Sequence, residues 1–265
     1  MKLNVNIEYR TSWGESLVLC MAGKRYPLSY VGEGLWEAEI ARITIKSAVE
    51  YSYEVVRDGQ TIRTEWKKHT LMLPEGTAPK VVSVNDRWND RPADAPFYSS
   101  AFTKAIFGRG DASKKECASN VAANLIFQVN AANVRPGEVL AIAAGSEELG
   151  SWGKVIPFSD ASFPLWTLAL NVTGPFAYKF LIADKKTLAP IVWEEGQNRW
   201  FGGMPGKGEV IVEADIQPSF PSRAWKGAGT AIPVFSLRTE DDFGVGDFYD
   251  LKKMVDCAAA TGQGI

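Results

Sequence analysis

The chain has 265 residues, of which 46% are hydrophobic and 23% are charged, and its formal net charge at pH 7 is −2. Lysine, arginine, aspartate and glutamate are spread evenly, so the sequence offers no basic face for nucleic acid and no polybasic tract for a membrane surface. No stretch is long and apolar enough to span a bilayer, and residues 1–9 alternate in polarity and lack the apolar core of a secretory signal. We therefore predict neither nucleic acid nor membrane as a partner.

Cysteine and histidine usage limits the chemistry of the chain. The three cysteines, Cys20, Cys117 and Cys257, are odd in number and far apart, which predicts neither a disulfide framework nor a metal cluster and is typical of a cytoplasmic protein. His69 is the only histidine, so zinc sites with several histidines are excluded. It follows a strand-like run, and we expect it on the surface. We expect no metal ion and no cofactor.

Residues 1–85 contain short β-rich runs separated by glycine turns, a pattern that predicts a β-sandwich. The step Asp58-Gly59 lies between two alternating runs. Because aspartate and glycine tolerate positive φ, this step predicts a tight hairpin.

The same order of landmarks recurs from residue 120 onward. Gly137, Trp166, Tyr178 and Trp193 follow Gly14, Trp36, Tyr51 and Trp66 at a nearly constant offset of about 127 residues. We interpret this as a duplicated β domain whose second copy occupies residues 120–216. Two unrelated β domains with generic turns are the alternative.

Residues 86–119 have the composition of a linker, with prolines near the start and glycines in the later part. The middle is too apolar for a solvated tether, so we expect it to cover a neighbouring surface. The apolar residues are Phe97, Tyr98, Phe102, Ile106 and Phe107.

The character of the sequence changes again in residues 217–265. An apolar run at 231–235 and a polar loop precede a helix that we expect to begin at the N-cap Asp247 and to end near Gly262. A strand, a loop and an amphipathic helix are typical of the first step of an α/β fold.

The second β domain contains candidates for sugar contacts. Trp152 and Trp193 lie in polar, glycine-containing turns, so we expect exposed indoles that could stack on a pyranose ring. Trp166 lies in an alternating run and is predicted to be buried. Lys179, between Tyr178 and Phe180 in a strand, points away from their face and would either reach a sugar hydroxyl or be a solvated strand residue.

The motifs in this region resemble the starch-binding modules of carbohydrate-binding module family 20. They are Leu-Gly-x-Trp at 149–152, Tyr-Lys-Phe at 178–180 and Trp-Glu-x-Gly-x-Asn-Arg at 193–199. The resemblance covers residues 120–216. It implies that Trp152 and Trp193 stack on glucose and that Lys179 and Asn198 hydrogen-bond to it.

The first β domain resembles the same family less closely, because it lacks Leu-Gly-x-Trp and has Ser52 at the position of the strand lysine. Trp13 matches an aromatic residue of the family's second sugar site, and Tyr30 would supply the other ring of that site. Capping of the sandwich edge is the alternative role for both. Trp66 is the remaining aromatic candidate in this domain.

The tail, at residues 229–238 and 243–252, resembles the first strand, loop and helix of the amylomaltase (4-α-glucanotransferase) barrel of glycoside hydrolase family 77. This implies a parent enzyme that transfers α-1,4-glucan segments through a covalent glycosyl-enzyme intermediate. The family's catalytic carboxylates lie on later barrel strands that the chain does not contain. We therefore expect no catalytic residue here.

Together these patterns predict a mainly β chain: two immunoglobulin-like antiparallel β-sandwiches at 1–85 and 120–216, a linker at 86–119, and the first βα unit of a truncated (β/α)₈ barrel at 217–265. The predicted function is binding of starch, glycogen or maltooligosaccharide without cleavage. One alternative is a non-catalytic regulatory or docking β-domain pair that mediates protein–protein contact. A complete small hydrolase is disfavoured because no acid and nucleophile pair is evident. The aromatic linker leaves packing against the chain's own catalytic domain, or against a homodimer partner, open.

Overall fold

The computed structural model describes residues 1–45, 48–92, 95–108, 117–120, 122–221 and 229–263. The chain divides into two compact units, Met1–Pro221 and Ser222–Ile265. The first unit is built from β-strands, so the prediction of a mainly β chain is confirmed. In the described residues, no helix has the length and apolarity needed to cross a bilayer.

The described part of the first unit contains 18 strands in two sets of nine. The first set comprises β1 (Lys2–Glu8), β2 (Glu15–Met21), β3 (Lys24–Pro27), β4 (Ser29–Gly32), β5 (Leu35–Ile40), β6 (Ala48–Arg57), β7 (Gln60–Thr64), β8 (His69–Met72) and β9 (Val81–Arg87). The second set comprises β10 (Leu125–Asn130), β11 (Glu138–Ala144), β12 (Ile156–Pro157), β13 (Ser159–Ser162), β14 (Leu165–Leu170), β15 (Phe176–Asp184), β16 (Pro190–Trp193), β17 (Arg199–Phe201) and β18 (Glu209–Ile216).

These strands form three sheets. The large sheet has the order β13-β14-β10-β18-β9-β1-β5-β4. The first cover sheet has the order β3-β2-β6-β7, with β8 also paired to β6, and the second has the order β12-β11-β15-β16, with β17 also paired to β15. Every pairing within the first set therefore recurs between strands nine positions later. The repeated landmarks in the sequence correspond to this repeated topology.

The two sets of strands meet inside the large sheet, where β9 and β18 pair in parallel. Val82 lies opposite Val210 and Val84 lies opposite Val212, and all four side chains are buried. Because strands that share a sheet share backbone hydrogen bonds, the two halves of the first unit are joined by regular secondary structure rather than by a tether.

The two cover sheets pack on opposite faces of the large sheet. Ile126 and Phe127 are neighbours on β10, so their side chains point to opposite faces. Ile126 belongs to the same buried cluster as Tyr53 of the first cover sheet, whereas the ring of Phe127 contacts that of Phe180 in the second cover sheet at 6.3 Å. Each cover sheet therefore has its own core on its own side of the shared sheet, and the first of these cores includes side chains from both halves.

A buried charged cluster, here called the junction cluster, lies where the two halves meet. It is centred on His69 of β8, whose Nε2 lies 2.7 Å from Glu65 Oε1 and whose Nδ1 lies 2.5 Å from Asp215 Oδ2. Asp86 Oδ1 lies 3.7 Å from the same Nδ1, and the side chain of His69 has no solvent exposure. Glu65 and Asp86 belong to the first half, whereas Asp215 is on β18. The cluster is therefore an ion-pair link between the halves.

The expectation that His69 lies on the surface is wrong. A charged imidazole is buried only when counter-charges surround it, and here three carboxylates do so. Two of them, Asp86 and Asp215, come from strands distant in sequence, so the residues around His69 give no sign of them.

The surroundings of His69 favour the protonated ring. Burial lowers the pKa of His69, but the charge of Asp86 and the hydrogen bonds to Asp215 and Glu65 outweigh burial and raise this pKa well above 6.5. Burial raises the pKa of Asp215, but the hydrogen bond and charge of His69 outweigh burial and hold this pKa below its usual value.

Asp86 is a fully enclosed carboxylate of the junction cluster. Burial raises the pKa of Asp86 to about 6, although the positive charge of His69 opposes this. The hydroxyls of Tyr51 and Tyr53 both donate to its oxygens, the former at 2.9 Å. These bonds compensate part of the cost of burying the carboxylate.

The middle of the predicted linker packs against both halves. It contains a 3₁₀-helix at Ala95–Tyr98 and a π-helix at Ala101–Ile106. The ring of Tyr98 lies 6.2 Å from that of Trp66 in the first half, and Phe107 lies 6.4 Å from Phe163 in the second. The prediction that this apolar segment covers a neighbouring surface is confirmed.

The second unit contains the helix α1 (Phe248–Ala260). Asp247 caps it, and Asp250 completes a reciprocal capping box by accepting from the Asp247 backbone N–H at 2.9 Å. Gly262 follows the helix with φ of +73°. The predicted helix is confirmed at both ends.

The expected strand at 231–235 is not formed. A short 3₁₀-helix at Val234–Ser236 takes part of its place. A barrel strand needs neighbouring strands to satisfy its backbone N–H and C=O groups. Residues 229–263, the described part of this unit, contain no such neighbour.

We predict that His69 titrates well above pH 6.5. Because it is the only histidine, its ring protons give one assignable NMR signal in a pH titration. A raised folded pKa stabilises the fold fully below pH 6.5, and this contribution is lost as the pH rises through the folded pKa. Unfolding by urea at pH 7 and pH 9 should therefore show lower stability at pH 9.

The variant Asp215→Asn serves as the control, since losing this carboxylate should lower the pKa of His69. A midpoint at or below 6.5 in the unmodified protein would show that the imidazole is not held as a cation.

Candidate functional site

The outward face of the second cover sheet carries the sugar-contact candidates of the second half. Along β15, Tyr178 and Phe180 point into the sandwich core, where both rings contact Phe127. Because side chains alternate between the two faces along a strand, Lys179, Ala177 and Leu181 point to the outer face. We call this outer face the tryptophan face.

Trp193 and Lys179 are held beside each other on the tryptophan face. Trp193, on the edge strand β16, lies opposite Leu181 of β15, two residues from Lys179. The ammonium group of Lys179 donates to the carbonyl of Gly196 at 2.6 Å, which ties the strand to the loop after Trp193. The indole of Trp193 is 40% exposed, as expected from the sequence.

An ion pair with a buried carboxylate holds this loop. Glu194 is buried, and its two carboxylate oxygens accept from Arg199 Nε at 2.9 and 3.1 Å. One of these oxygens also accepts from the backbone N–H of Phe180 at 3.3 Å. Without Arg199 the buried Glu194 carboxylate would lose its counter-charge, so the pair stabilises this conformation of the loop. Asn198, within the loop, is exposed.

Trp152 lies on the other side of β15. Its backbone has φ of +68°, and its N–H donates to the carbonyl of Ala144 at 2.7 Å. A Cβ atom on Gly145 would lie 2.9 Å from Trp152 Nε1, so the indole rests directly on this glycine. The Gly145 N–H donates to the carbonyl of Ala177, which places Trp152 one strand away from β15. Trp152 is 40% exposed.

A third indole shares this face. Trp200 of β17 lies opposite Ala177 of β15, and its side chain is 67% exposed. Its neighbours Arg199 and Phe201 lie opposite core residues. The motif pattern ends at Arg199 and did not single out Trp200. The alternation of Arg-Trp-Phe in a short strand is the signal that identifies it.

The tryptophan face therefore brings together three of the predicted residues, Trp152, Lys179 and Trp193, and adds Trp200. Asn198 lies in the exposed loop between β16 and β17. The partners of Trp200 and Trp193 on β15 are four residues apart, which is about 13 Å along an extended strand. Flat apolar rings around an ammonium and an amide can stack on sugar rings and hydrogen-bond to hydroxyl groups.

Trp13 and Tyr30 lie in the first half, apart from the tryptophan face. Trp13 is fully exposed in the turn between β1 and β2. The hydroxyl of Tyr30 accepts from the backbone N–H of Gly34 at 3.3 Å. Tyr30 borders an open cavity of about 560 Å³, which Thr11, two residues before Trp13, also lines. These two candidates thus lie near the same end of the first sandwich.

Trp66 and Trp166 have different surroundings. Trp66 is 37% exposed, and its ring packs beside Tyr98 of the linker with Lys67 Nζ 5.8 Å from its centre. Its ring therefore packs against the linker. Trp166 is fully buried and its Nε1 donates to the carbonyl of Ala131 at 2.8 Å, so its predicted burial is confirmed.

The junction cluster is also the place where metal-type donors converge in the described residues. Donor atoms of His69, Asp86 and Asp215 lie within 4.8 Å of one another. Both ring nitrogens of His69 already contact carboxylates, at Glu65 and Asp215. A metal ligand must be a neutral imidazole with a free nitrogen lone pair, so this geometry suits an imidazolium with its counter-ions.

Comparison with known proteins gives matches of two kinds. The family model described as starch binding domain, CBM20, matches residues 122–207. The 4-alpha-glucanotransferase DPE2 of Oryza sativa subsp. japonica is 27% identical over 97% of this chain and 30% of its own length. The chain thus spans about 30% of the length of this relative.

Two solved structures are also similar. A family 20 carbohydrate-binding module from the maltotetraose-forming amylase of Pseudomonas saccharophila is 18% identical, with a TM-score of 0.28, over 34% of this chain and 97% of its own. A glucoamylase of Hypocrea jecorina is 18% identical, with a TM-score of 0.31, over 39% of this chain and 18% of its own.

We predict that Gly145→Ala displaces the indole of Trp152 from the tryptophan face, because the added methyl group would lie 2.9 Å from Nε1. If Trp152 contacts ligand, affinity for β-cyclodextrin should fall by about tenfold, equivalent to 1.4 kcal/mol. Quenching of tryptophan fluorescence by the ligand measures this change.

Gly174→Ala is the matched control, since a Cβ atom there meets nothing within 4 Å. Equal affinities of both variants and the unmodified protein would contradict a role for the glycine in positioning Trp152.

Proposed function

We propose that this chain is the α-glucan-binding region of a longer 4-α-glucanotransferase. One observation carries the proposal: Trp152 and Trp193 are exposed on the same face of one sheet, on either side of the strand that carries Lys179. This face lies within the segment that matches the starch binding domain model.

The chemistry of the tryptophan face suits a sugar polymer. The apolar faces of a pyranose ring can stack on an indole, which is large, rigid and costs little conformational entropy to hold. The Lys179 ammonium has three donors and one is used by Gly196, so two remain for sugar hydroxyls. Asn198 adds a donor and an acceptor from an exposed loop. Starch, glycogen and maltooligosaccharides are the ligands we expect.

The similarity to the glucanotransferase supports a place within a larger enzyme. The alignment runs over nearly the whole chain and over a minor part of the relative. In this proposal Ser222–Ile265 belongs to the start of a family 77 barrel, which would supply the transfer of α-1,4-glucan segments in the cytoplasm. The described residues would capture substrate and leave its cleavage to the rest of the enzyme.

Two glucan sites in one chain would raise affinity through avidity. In this proposal Trp13 and Tyr30 form a second site on the first half, as in tandem starch-binding modules. The pairing of β9 with β18 holds the halves in one orientation, so the effective concentration of the second site is not lowered by a flexible tether. Linked sites that engage together can raise the overall affinity by about 10²–10⁴-fold.

The aromatic linker gives little support to protein docking as the main function. Phe107 is buried with its ring beside Phe163, and Tyr98 packs beside Trp66. These rings are used within the chain itself. The exposed indoles of the tryptophan face are still available to a ligand.

Titration of tryptophan fluorescence with β-cyclodextrin tests the proposed site. We expect Trp152→Ala and Trp193→Ala each to weaken binding by about tenfold or more, because each removes a stacking surface, and tenfold corresponds to 1.4 kcal/mol. Trp13→Ala should have a smaller effect.

Ile62→Ala, which removes an exposed apolar side chain on β7, is the control for nonspecific surface effects. Loss of binding with Trp13→Ala alone would place the principal site on the first half. Unchanged binding in all three tryptophan variants would contradict the proposed function.

A further inference from the structure

Trp200 is the most exposed of the three indoles on the tryptophan face, at 67%. Leaving a large aromatic side chain in water forgoes the free energy of burying it, which is about 25 cal/mol for each Å² of apolar surface. The ring pairs found near it among the described residues, Phe176 with Phe201 and Tyr178 with Phe180, do not include Trp200. Its position next to the proposed sugar contacts suits a further contact with the ligand.

The register of β15 orders the contacts of the tryptophan face in a line. Trp193 lies opposite Leu181, and Lys179 lies two residues before Leu181 on β15. Trp152 and Trp200 are then level with Ala177, on opposite sides of β15. The three rings are therefore separated from one another both along β15 and across it.

The ring of Trp200 leans away from Lys179. A Cβ atom on Gly202 would lie 3.5 Å from Trp200 Nε1, so the indole reaches along its own strand toward this glycine. Because β17 runs antiparallel to β15, Gly202 lies beyond Ala177 on the side opposite Lys179. Trp200 therefore continues the line at the end distant from Trp193.

Small residues separate Trp152 from Trp200. Ala177 lies between them on β15, and Gly145 lies under Trp152. Because their side chains are only a methyl group and a hydrogen atom, these two residues project little above the sheet. A ligand that lies across Trp152 would pass over these small residues to reach Trp200.

We propose that Trp200 is a third stacking residue that lengthens the glucan-binding surface, so that the second half of the first unit prefers longer α-1,4-glucan chains to short ones. This inference rests on the proposed function and adds a residue and a chain-length preference to it. A short oligosaccharide fills the surface around Trp152, Lys179 and Trp193, whereas a longer one also covers Trp200.

Calorimetric titration with maltotriose and with maltoheptaose tests the inference. For Trp200→Ala we expect about tenfold weaker binding of maltoheptaose and less than a twofold change for maltotriose, because only the longer ligand reaches this ring. Trp200→Phe, which keeps an aromatic plate, should recover most of the maltoheptaose affinity. Trp152→Ala should weaken both ligands, and Ile62→Ala should weaken neither.

The outcomes separate this inference from the proposed function. If Trp152→Ala weakens both ligands while Trp200→Ala affects neither, glucan binding stands and Trp200 has another occupant, such as a protein surface. Equal weakening of both ligands by Trp200→Ala also overturns the chain-length preference. If the unmodified protein binds neither oligosaccharide, both proposals fail.

Discussion

The parallel pairing of Val81–Arg87 with Glu209–Ile216 is the constraint on which the rest of the first unit depends. It turns two similar sets of nine strands into one body, with a sandwich core on each face of a shared sheet. The junction cluster around His69 adds a buried ion-pair network that takes carboxylates from both halves. Separating the halves would break ladder hydrogen bonds and leave buried charges without partners, which is costly. The tryptophan face and the turn that carries Trp13 are therefore held in a fixed relation.

The tryptophan face shows how local strain and buried polar contacts can present apolar rings to water. Trp152 keeps a positive φ and rests on a glycine, and the loop after Trp193 is held by the Glu194–Arg199 pair. Such features cost free energy unless the surrounding structure holds them, and they are frequent at binding sites. The rings are thus oriented before any ligand arrives, which reduces the entropy lost on binding.

Features set by neighbouring residues could be predicted from the sequence. The Asp58-Gly59 step forms the expected hairpin, with φ of 50° and 76°, because these residue types tolerate that backbone. Asp247 caps its helix for a similarly local reason. Features set by distant segments could not be predicted. His69 is buried by a carboxylate 146 residues away, and the run at 231–235 lacks the strand neighbours that would make it a strand.

The central claim is that glucan covers the exposed indoles of the second half while the shared sheet stays intact. The most direct measurement is the NMR signal of each indole N–H during titration with maltoheptaose. We expect large shifts for Trp152 and Trp193, and none for Trp36 and Trp166, whose Nε1 atoms donate to backbone carbonyls. Shifts confined to Trp13, or uniform shifts that include the buried pair, would contradict it.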